Sequence, residues 1–409
     1  MTTPRHFSAL ARRTTLPPIS WLMHVALERP ELISLAAGFT DSATLPVEEV
    51  AALTRDLFRH EKAARAALQY GTTRGLPALR HELLRRWQEQ DRAKPPAIGL
   101  DDVVVTNGSQ QLLYLISEVL CDPGDIVFVE DPTYFVYLGI VEALGIRAAG
   151  FDSVAKLKSK LERVDVRRVK IVYLVTYFQN PTGHTWSLDA KREALAIVKH
   201  YERKAGHPIY ILEDAAYRDL RFEGEDVRSF KALDAGNARV IYTNTLTKPF
   251  ATGIKLGYGI LPKPVMEAVL RSKSNHDFGS SNLLQTLLAR AFAEGVYDRH
   301  LPKIAAGYRA KRDAMVAELD ASFPESARYE KPHGGLYVWV ELPASIKTGV
   351  KSRFFKRALD TGVLYVPGEM CFCNDPSRRI PASCMRLSFG TQPAAQIRKG
   401  IRLLANALV

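Results

Sequence analysis

The sequence predicts an α/β protein in which a mostly parallel sheet is sandwiched by helices, with a smaller α+β domain built from the N-terminal segment and the C-terminal third. Two observations predict this class. Apolar strand-like runs alternate with amphipathic helical segments through the middle of the chain, and this alternation is typical of parallel strands joined by helices. The last third instead combines one long amphipathic helix with short strand-like runs, which indicates a separate α+β unit.

The predicted strands of the large domain are short apolar runs rich in β-branched and aromatic side chains, as buried strands are. A helical stretch over 77–90 precedes the first strand, and a long helix over 189–203 lies between the third and the fourth. In chain order the elements are strand DVVVT (102–106), helix SQQLLYLISEVL (109–120), strand IVFVE (126–130), a helix after Thr133, and strands IVYLVTYF (171–178), PIYILED (208–214), ARVIYTNT (238–245) and YGIL (258–261).

The predicted smaller domain contains an amphipathic helix near 303–320, whose apolar side chains recur at helical spacing. The runs LYVWVEL (336–342) and MRLSF (385–389) follow it as strands. No internal repeat or Gly/Ser linker divides the sequence. The predicted boundaries are 1–45 for an N-terminal arm that forms part of the small domain, 46–295 for the large domain and 296–409 for the small C-terminal domain.

Charge and hydropathy argue against two classes of protein. The formal net charge is +12, but the Lys and Arg residues are spread along amphipathic segments without a basic block, so solvated helix faces are favoured over nucleic-acid binding. The longest apolar run, IVYLVTYF, is far shorter than the ~20 residues of a membrane-spanning helix. We therefore expect neither nucleic acid nor a membrane as a partner.

The cysteines and the N-terminal residues bear on location. Four cysteines are few for 409 residues, and CFC lacks the second ligand pair of a zinc site, so we expect free thiols, a reducing cytoplasm and no bound metal. The first 27 residues lack Asp and Glu and carry Arg5, Arg12 and Arg13. That composition is compatible with a transit peptide, although we favour an ordered N-terminal arm.

Four short segments follow predicted strands, at the sheet edge where open α/β folds bind their ligands. In TNGSQQ, Gly108 permits a tight turn and Ser109 opens a helix whose exposed amides favour a phosphate, although Ser109 alone could be a simple N-cap. In YFQNPTGHT, Asn180 stands at a strand end where its amide can donate to a ligand oxygen, and a plain turn is the alternative.

The third segment, ILEDAAY, ends a buried strand in Asp214, and Tyr217 follows three residues later. A buried carboxylate needs a proton donor or a cation, which a protonated ring nitrogen, an ion pair or a helix end could supply. In the fourth, TNTLTKPF, Lys248 is either a solvated charge or a nucleophile. Together, a phosphate cradle, an Asp for a pyridinium, hydroxyl donors for a phenolate and a reactive lysine are the parts that pyridoxal phosphate requires.

Six short motifs occur in order along the chain: GSQQ, DPTY, QNPTG, EDAAY, TLTK and MRLSF. With them the sequence resembles the fold-type-I pyridoxal-phosphate-dependent aminotransferases of class I/II, especially the branch with 2-aminoadipate and kynurenine-type aminotransferases. The resemblance runs from about Ile33 to the C-terminus. It implies pyridoxal 5′-phosphate as the cofactor, amino acid and 2-oxo acid substrates, and a homodimer with active sites at the subunit interface.

The resemblance assigns roles around the cofactor ring. Lys248 resembles the lysine that bonds to the cofactor aldehyde and then moves the substrate α-proton, and Asp214 resembles the partner of the pyridine nitrogen. Asn180 and Tyr217 resemble the donors to the phenolic oxygen. Tyr134 resembles the aromatic side chain that stacks on the ring, although alone it would indicate a core tyrosine at a helix start. Lys248, Asp214 and Tyr217 are therefore the predicted catalytic residues.

Other residues match positions that hold the substrate and the phosphate. Arg386 resembles the arginine that grips the substrate α-carboxylate, and the alternation in MRLSF places it on the strand face opposite Met385 and Leu387. Gly38 matches a position where bare backbone approaches the same carboxylate, and Asn180 completes the predicted substrate-binding set. The predicted phosphate ligands are Ser109, Gln110, Thr245 and Lys255, together with Tyr70 of the partner subunit.

Three positions depart from the family pattern. Lys255 stands where arginine is usual, so a point charge replaces a planar fork. Ser20 and Trp21 stand where relatives with dicarboxylic substrates tend to carry an arginine for the substrate side chain. Without that charge, and with aromatic surface available, we expect aromatic or aliphatic amino donors. The hydroxyl residues near Lys248 are threonines where serine is common, which preserves the hydroxyl donors.

The implied reaction is ping-pong transamination, in which an L-amino acid gives its amino group to the cofactor and a 2-oxo acid later accepts it. A lyase or decarboxylase on the same scaffold stays an alternative, because the residues do not show which substrate bond stands perpendicular to the ring. A non-catalytic regulator with an aminotransferase-like sensor domain is less expected, since about 30 residues precede the first match, too few for a DNA-binding domain.

Overall fold

The computed structural model describes residues 4, 6–376 and 378–408, so Arg5 and the outermost residues of the predicted domains lie outside it. The strands of the described residues form three sheets. In chain order the strands are β1 Ile33–Ser34, β2 Val103–Asn107, β3 Ile126–Glu130, β4 Arg147–Phe151, β5 Val169–Val175, β6 Tyr210–Asp214, β7 Val240–Thr245, β8 Leu256–Ile260, β9 Tyr337–Glu341, β10 Val363–Leu364, β11 Val366–Pro367 and β12 Cys384–Ser388.

A seven-stranded sheet forms the centre of the molecule, in the order β2-β8-β7-β6-β5-β3-β4. The strands β7, β6, β5, β3 and β4 run parallel, whereas β8 is antiparallel to both β7 and β2. Alternate residues of β5 enter different cores, with Ile171, Tyr173 and Val175 on one side and Val172 and Leu174 on the other. Because both faces are buried, the strand reads as a continuous apolar run. The predicted mostly parallel sheet is confirmed.

Helices cover both faces of this sheet, which produces the alternation seen in the sequence. None of the helices in the described ranges combines the length and the apolar character needed to cross a bilayer. The helices are α1 Ala9–Arg13, α2 Pro18–Glu28, α3 Val47–Arg59, α4 Glu61–Leu68, α5 Pro77–Asp91, α6 Gly108–Leu120, α7 Phe135–Ala143, α8 Val154–Leu161, α9 Leu188–Ala205, α10 Phe230–Leu233, α11 Lys263–His276, α12 Asn282–Ala293, α13 Val296–Ser322, α14 Arg353–Asp360 and α15 Ala394–Leu408.

Two parts of the large sheet differ from the sequence prediction. The predicted strand over 171–178 ends at Val175, because the chain then turns and Phe178 adopts a left-handed backbone conformation with φ 45°. The edge strand β4 was not predicted, since its sequence RAAGF is poor in strand-forming residues. Its glycine is required by packing, because a Cβ on Gly150 would lie 2.2 Å from the Asp131 carboxylate.

The smaller α+β unit draws on both ends of the chain. β1 pairs in parallel with β10, Ile33 lying opposite Val363, so the N-terminal segment joins the C-terminal third as predicted. β12 lies between β11 and β9 in an antiparallel sheet. The long helix α13 extends beyond the predicted 303–320 and packs against α15. The domain boundaries stay predictions.

Candidate active site

Polar side chains converge on a cleft at the carboxyl ends of β5, β6 and β7, where open α/β sheets bind ligands. Parallel strands bring these ends to one edge of the sheet, although the strands are far apart in the sequence. Nine of the predicted site residues line the cleft: Ser109, Gln110, Tyr134, Asn180, Asp214, Tyr217, Thr245, Lys248 and Lys255.

Lys248 follows β7 and has a half-buried side chain. Its Nζ donates a hydrogen bond to the carbonyl oxygen of Gly38 at 2.6 Å. Burial, together with the nearby charges of Arg386 and Lys255, lowers the pKa of Lys248 to about 8. An amine with this pKa is partly neutral near pH 7, and the neutral amine is the nucleophilic form.

Asp214 is the last residue of β6 and is buried. Its Oδ2 accepts a hydrogen bond from the Tyr173 hydroxyl at 3.0 Å, and its Oδ1 accepts one from the Ala216 N–H at 3.1 Å. Burial raises the pKa of Asp214 to about 6, while these two hydrogen bonds favour the ionised form. The carboxylate is therefore oriented and partly stabilised, and a cation in the cleft would stabilise it further.

Arg386, on β12, is 1% exposed and lies beside the cleft. Its Nη1 donates to Asn180 Oδ1 at 2.9 Å, and its Nη2 donates to the Ala36 carbonyl oxygen at 2.6 Å. Within the described residues the buried Nε has no hydrogen-bond partner. These bonds fix the guanidinium group and occupy the Asn180 oxygen, which leaves the Asn180 NH2 group to donate to a ligand.

The N-terminus of α6 lies at one end of the cleft, with Gly108, Ser109 and Gln110 in the lining. The helix approaches β8 closely, because a Cβ on Gly257 would lie 2.4 Å from the Ser109 nitrogen. Lys255 precedes β8 in the left-handed region, with φ 53°, and lines the same space. The N–H groups of a helix start and an ammonium group together favour an anion here.

Gly38 and Arg386 adjoin the cleft lining through Lys248 and Asn180, whereas Tyr70, Ser20 and Trp21 lie away from it. Tyr70 is 84% exposed and meets the edge of Phe278 with ring centroids 5.7 Å apart, so within one chain it does not reach the cleft. Ser20 and Trp21 stand at the start of α2. Trp21 packs against Phe355 with ring centroids 6.1 Å apart, so it offers no aromatic wall to the cleft.

The geometry has the parts of an aminotransferase site, and comparison with known proteins decides the family. The family model described as "Aminotransferase class I and II" matches residues 30–404. The chain belongs to this aminotransferase family. Membership confirms the predicted enzyme class, the predicted amino-group transfer and the predicted cofactor, pyridoxal 5′-phosphate.

Named relatives of this aminotransferase span several amino donors. The chain is 35% identical to "Aromatic-amino-acid aminotransferase 1" of Thermococcus litoralis over 392 residues, which are 93% of this chain and 89% of the relative. It is 30% identical to the 2-aminoadipate transaminase of Thermus thermophilus, covering 93% of this chain and 91% of the relative. The solved kynurenine aminotransferase of Pyrococcus horikoshii, in complex with PMP, has a TM-score of 0.89 at 31% identity, covering 99% and 97% of the two chains.

The cleft of this aminotransferase fits its cofactor by the chemistry of its own residues. The buried Asp214 carboxylate has hydrogen-bond donors but no ion-pair partner among the described residues, and a pyridinium nitrogen would supply the missing charge. The start of α6 and Lys255 suit a phosphate. Lys248 supplies an amine of lowered pKa for the aldehyde.

Two tyrosines of the aminotransferase site were missed by the sequence analysis. Tyr173 donates to Asp214 at 3.0 Å, and the Tyr337 hydroxyl lies 3.1 Å from the Tyr217 hydroxyl. Alternation along β5 could have identified Tyr173, because it shares a strand face with Val175, which lines the cleft. No local signal links Tyr337, on β9, to Tyr217, because only the tertiary structure brings the two together.

Proposed function

We propose that this aminotransferase transfers the amino group of an aromatic or aliphatic L-amino acid to a 2-oxo acid by a ping-pong mechanism. The supporting observation is the Lys248 amine, whose pKa is lowered to about 8 in a cleft that also holds Asp214. When bound there, pyridoxal 5′-phosphate supplies an aldehyde and a ring that accepts the electrons released from the substrate Cα–H bond.

Lys248 has two tasks in this proposal. Its neutral amine would hold the aldehyde carbon of the cofactor, and once free it would take the proton from the substrate Cα and deliver it to that cofactor carbon. The hydrogen bond to the Gly38 carbonyl oxygen holds Nζ in the cleft. The lowered pKa keeps a share of the amine unprotonated at neutral pH, as both tasks require.

Asp214 keeps a proton on the cofactor ring nitrogen. The donors from Tyr173 and Ala216 hold its carboxylate in one orientation and favour its ionised form. An ionised carboxylate in a buried site stabilises a protonated pyridine nitrogen strongly. Tyr217 and the NH2 group of Asn180 would donate to the phenolic oxygen, and the Asn180 amide is oriented by Arg386.

The remaining site residues hold the phosphate, the ring and the substrate. Arg386 binds the substrate α-carboxylate, and its buried Nε, which lacks a partner among the described residues, supports that role. Gly38 lies next to Lys248, because its carbonyl oxygen accepts a hydrogen bond from Lys248 Nζ. Its bare backbone is the proposed second contact of the substrate carboxylate. Tyr134, which lines the cleft, would pack against the ring. The proposed phosphate ligands are Ser109, Gln110, Thr245 and Lys255, with Tyr70 of the partner subunit.

The proposed donor preference rests on charge. Among the described residues that line the cleft, the cations are Lys248 and Lys255. Arg386 beside the cleft is assigned to the α-carboxylate, so a second carboxylate at the end of a substrate side chain lacks a bidentate partner. Phe39, next to Gly38, is 50% exposed and adds apolar surface nearby. Trp21 does not contribute, because it packs against Phe355. A relative named for aromatic amino acids is consistent with this preference.

We also infer a cytoplasmic homodimer. Tyr70, Leu68 and Phe278 are 84%, 64% and 55% exposed, and exposed apolar side chains of this size favour burial against another chain. All four cysteines are free thiols, as expected in a reducing compartment. The proposed domains are an N-terminal arm over 1–45 that forms part of the small domain, a large cofactor-binding domain over 46–295 and a small C-terminal domain over 296–409.

A half-reaction panel tests the donor preference. Single amino acids are added to the purified holoenzyme, and the loss of visible cofactor absorbance is followed with time. We expect higher catalytic efficiency for phenylalanine, tyrosine, leucine or methionine than for 2-aminoadipate; a higher value for 2-aminoadipate than for all four would contradict the preference. Recovery of one 2-oxo acid per aminated cofactor, without CO2, separates transamination from lyase and decarboxylase reactions.

A further inference from the structure

Tyr337 places a second buried hydroxyl group beside Tyr217. Tyr337 belongs to β9 and is 2% exposed. Its hydroxyl oxygen lies 3.1 Å from the Tyr217 hydroxyl oxygen, and the two rings meet edge to face with centroids 5.7 Å apart. No other hydrogen bond of the Tyr337 hydroxyl occurs in the described part of the chain. The pair is therefore a direct hydroxyl–hydroxyl contact in a site that excludes most water.

The packing around Tyr337 fixes the position of its hydroxyl. A Cβ on Gly38 would lie 2.5 Å from the Tyr337 hydroxyl oxygen but 3.5 Å from its Cζ. The bare backbone of Gly38 therefore makes room for the hydroxyl, whereas the ring alone would tolerate a methyl group. On another side the Arg386 guanidinium lies over the Tyr337 ring, 4.2 Å from its centroid. A phenylalanine would keep that stacking and lose only the hydroxyl.

We propose that Tyr337 is a positioning residue, whose hydroxyl donates to the Tyr217 oxygen and so directs the Tyr217 proton toward the phenolic oxygen of the cofactor. This inference rests on the proposed role of Tyr217. A hydroxyl that accepts one hydrogen bond becomes a stronger donor in the next, because the two bonds polarise each other. Burial raises the pKa of Tyr217, so its proton stays available for donation.

Absorbance titration of the holoenzyme tests this hydrogen-bond relay, which runs from the Tyr337 hydroxyl through the Tyr217 hydroxyl to the cofactor. A hydrogen bond to the phenolic oxygen favours its anionic form, and this lowers the pH midpoint at which the visible absorbance of the bound cofactor changes. Tyr337→Phe should raise this midpoint by up to about 0.3 pH unit, since it removes only the polarisation of a neutral hydrogen bond that remains. Tyr217→Phe should raise it further. In the Tyr217→Phe background, Tyr337→Phe should add nothing, because the group through which it acts is gone.

The possible results separate the relay from the proposed role of Tyr217. An unchanged midpoint in Tyr337→Phe, with the expected rise in Tyr217→Phe, rejects the relay and leaves the proposed function intact. Equal shifts from Tyr337→Phe in both backgrounds also reject it, because Tyr337 would then act without Tyr217. An unchanged midpoint in Tyr217→Phe rejects the role of Tyr217, and the relay falls with it.

A second test uses the protein without cofactor. Gly38→Ala should lower the thermal unfolding midpoint, because its Cβ would overlap the Tyr337 hydroxyl. The same substitution in the Tyr337→Phe background should cost clearly less, because the nearest ring atom then lies at ordinary contact distance. Equal losses in both backgrounds would place the hydroxyl elsewhere than against Gly38 and overturn the geometry on which the relay depends.

Discussion

At the scale of residues, the site combines two ionisable groups whose pKa values are moved toward neutrality. The pKa of Lys248 is lowered to about 8 and that of Asp214 is raised to about 6. In both cases the first cause is the loss of water around the charged form. Such groups lower the stability of the protein without ligand and gain partners when the cofactor binds, as is common for functional sites.

Replacing Lys248 should remove turnover while leaving cofactor binding. Lys248→Ala lacks the amine that bonds to the aldehyde and carries the α-proton, so we expect a loss of three orders of magnitude or more, about 4 kcal/mol in barrier. Borohydride reduction of the parent followed by peptide mapping should place the cofactor on the peptide with Lys248. Labelling of another lysine would refute the assignment.

Replacing Asp214 should reduce turnover by several orders of magnitude and yet stabilise the cofactor-free protein at neutral pH. The pKa of Asp214 is raised from 3.8 to about 6, so the folded state binds this proton more tightly than the unfolded state. Stability therefore falls as pH rises from about 4 to 6, by ~3 kcal/mol or less. Asp214→Asn removes this loss, and its advantage over the parent should be small at pH 4 and largest above pH 6.

Denaturant unfolding of the cofactor-free proteins at several pH values measures this effect. Glu225→Gln is the control, because Glu225 is exposed in the loop between β6 and α10. Its unfolding free energy should follow that of the parent across the pH range. A constant difference between Asp214→Asn and the parent from pH 4 to 8 would show that the carboxyl does not titrate as inferred.

At the scale of elements, the site is made where three strands end and one helix begins. β5, β6 and β7 deliver their carboxyl ends to one edge, and α6 starts beside β8 because Gly257 has no side chain. The four N–H groups at a helix start have no partners within the helix. These N–H groups carry a partial positive charge, and the ammonium group of Lys255, just before β8, lies near them in the same cleft.

Lys255→Ala should weaken the holding of the cofactor more than the chemistry. We expect the variant to lose cofactor on dialysis and to regain activity when it is added back. Turnover at saturating cofactor should stay within about tenfold of the parent, about 1.4 kcal/mol in barrier. Lys255→Arg, which offers a planar fork, should bind cofactor at least as tightly.

Lys263→Ala is a matched control for this element, because Lys263 is exposed at the start of α11 and does not line the cleft. Its cofactor affinity should equal that of the parent. Equal cofactor affinity in the parent and in Lys255→Ala, measured by fluorescence titration, would exclude Lys255 from the phosphate site.

At the scale of the whole molecule, the site depends on elements from both units and, in our proposal, on a second chain. Arg386 reaches the Asn180 amide from β12, and Gly38 meets Lys248 from the N-terminal segment. These contacts join residues more than 200 positions apart. Tyr70, by contrast, is exposed and outside the cleft of its own chain, as expected if it serves the neighbouring site.

Mixed dimers of two defective variants test this exchange. Lys248→Ala lacks the nucleophile, and Tyr70→Ala should bind cofactor weakly. If Tyr70 acts across the interface, re-pairing equal amounts should restore about a quarter of the parental activity at limiting cofactor, since half of the dimers then carry one complete site. Activity no higher than the mean of the two variants would show that Tyr70 does not act in the neighbouring subunit.

Local sequence pattern by itself predicted most of the central sheet and a few polar residues at its ligand-binding edge, whereas the family resemblance supplied the other predicted site residues and the roles. Buried parallel strands read as apolar runs, and the polar residue that ends each run falls at the ligand-binding edge. Asp214 and Lys248 were found in this way, and both line the cleft. The edge strand over 147–151 was missed, because its alanines and glycine carry a weak strand signal.

Only the tertiary structure decided which side chains meet. The contact of Tyr337 with Tyr217 joins residues 120 positions apart, and the place of Trp21 against Phe355 rather than in the cleft depends on how α2 packs against α14. Periodicity within a segment records which face of an element is buried, and it carries no information about the partner that buries it. Partners are set by packing between elements that are distant in the chain. The Tyr337–Tyr217 contact and the position of Trp21 outside the cleft therefore depend on the tertiary structure.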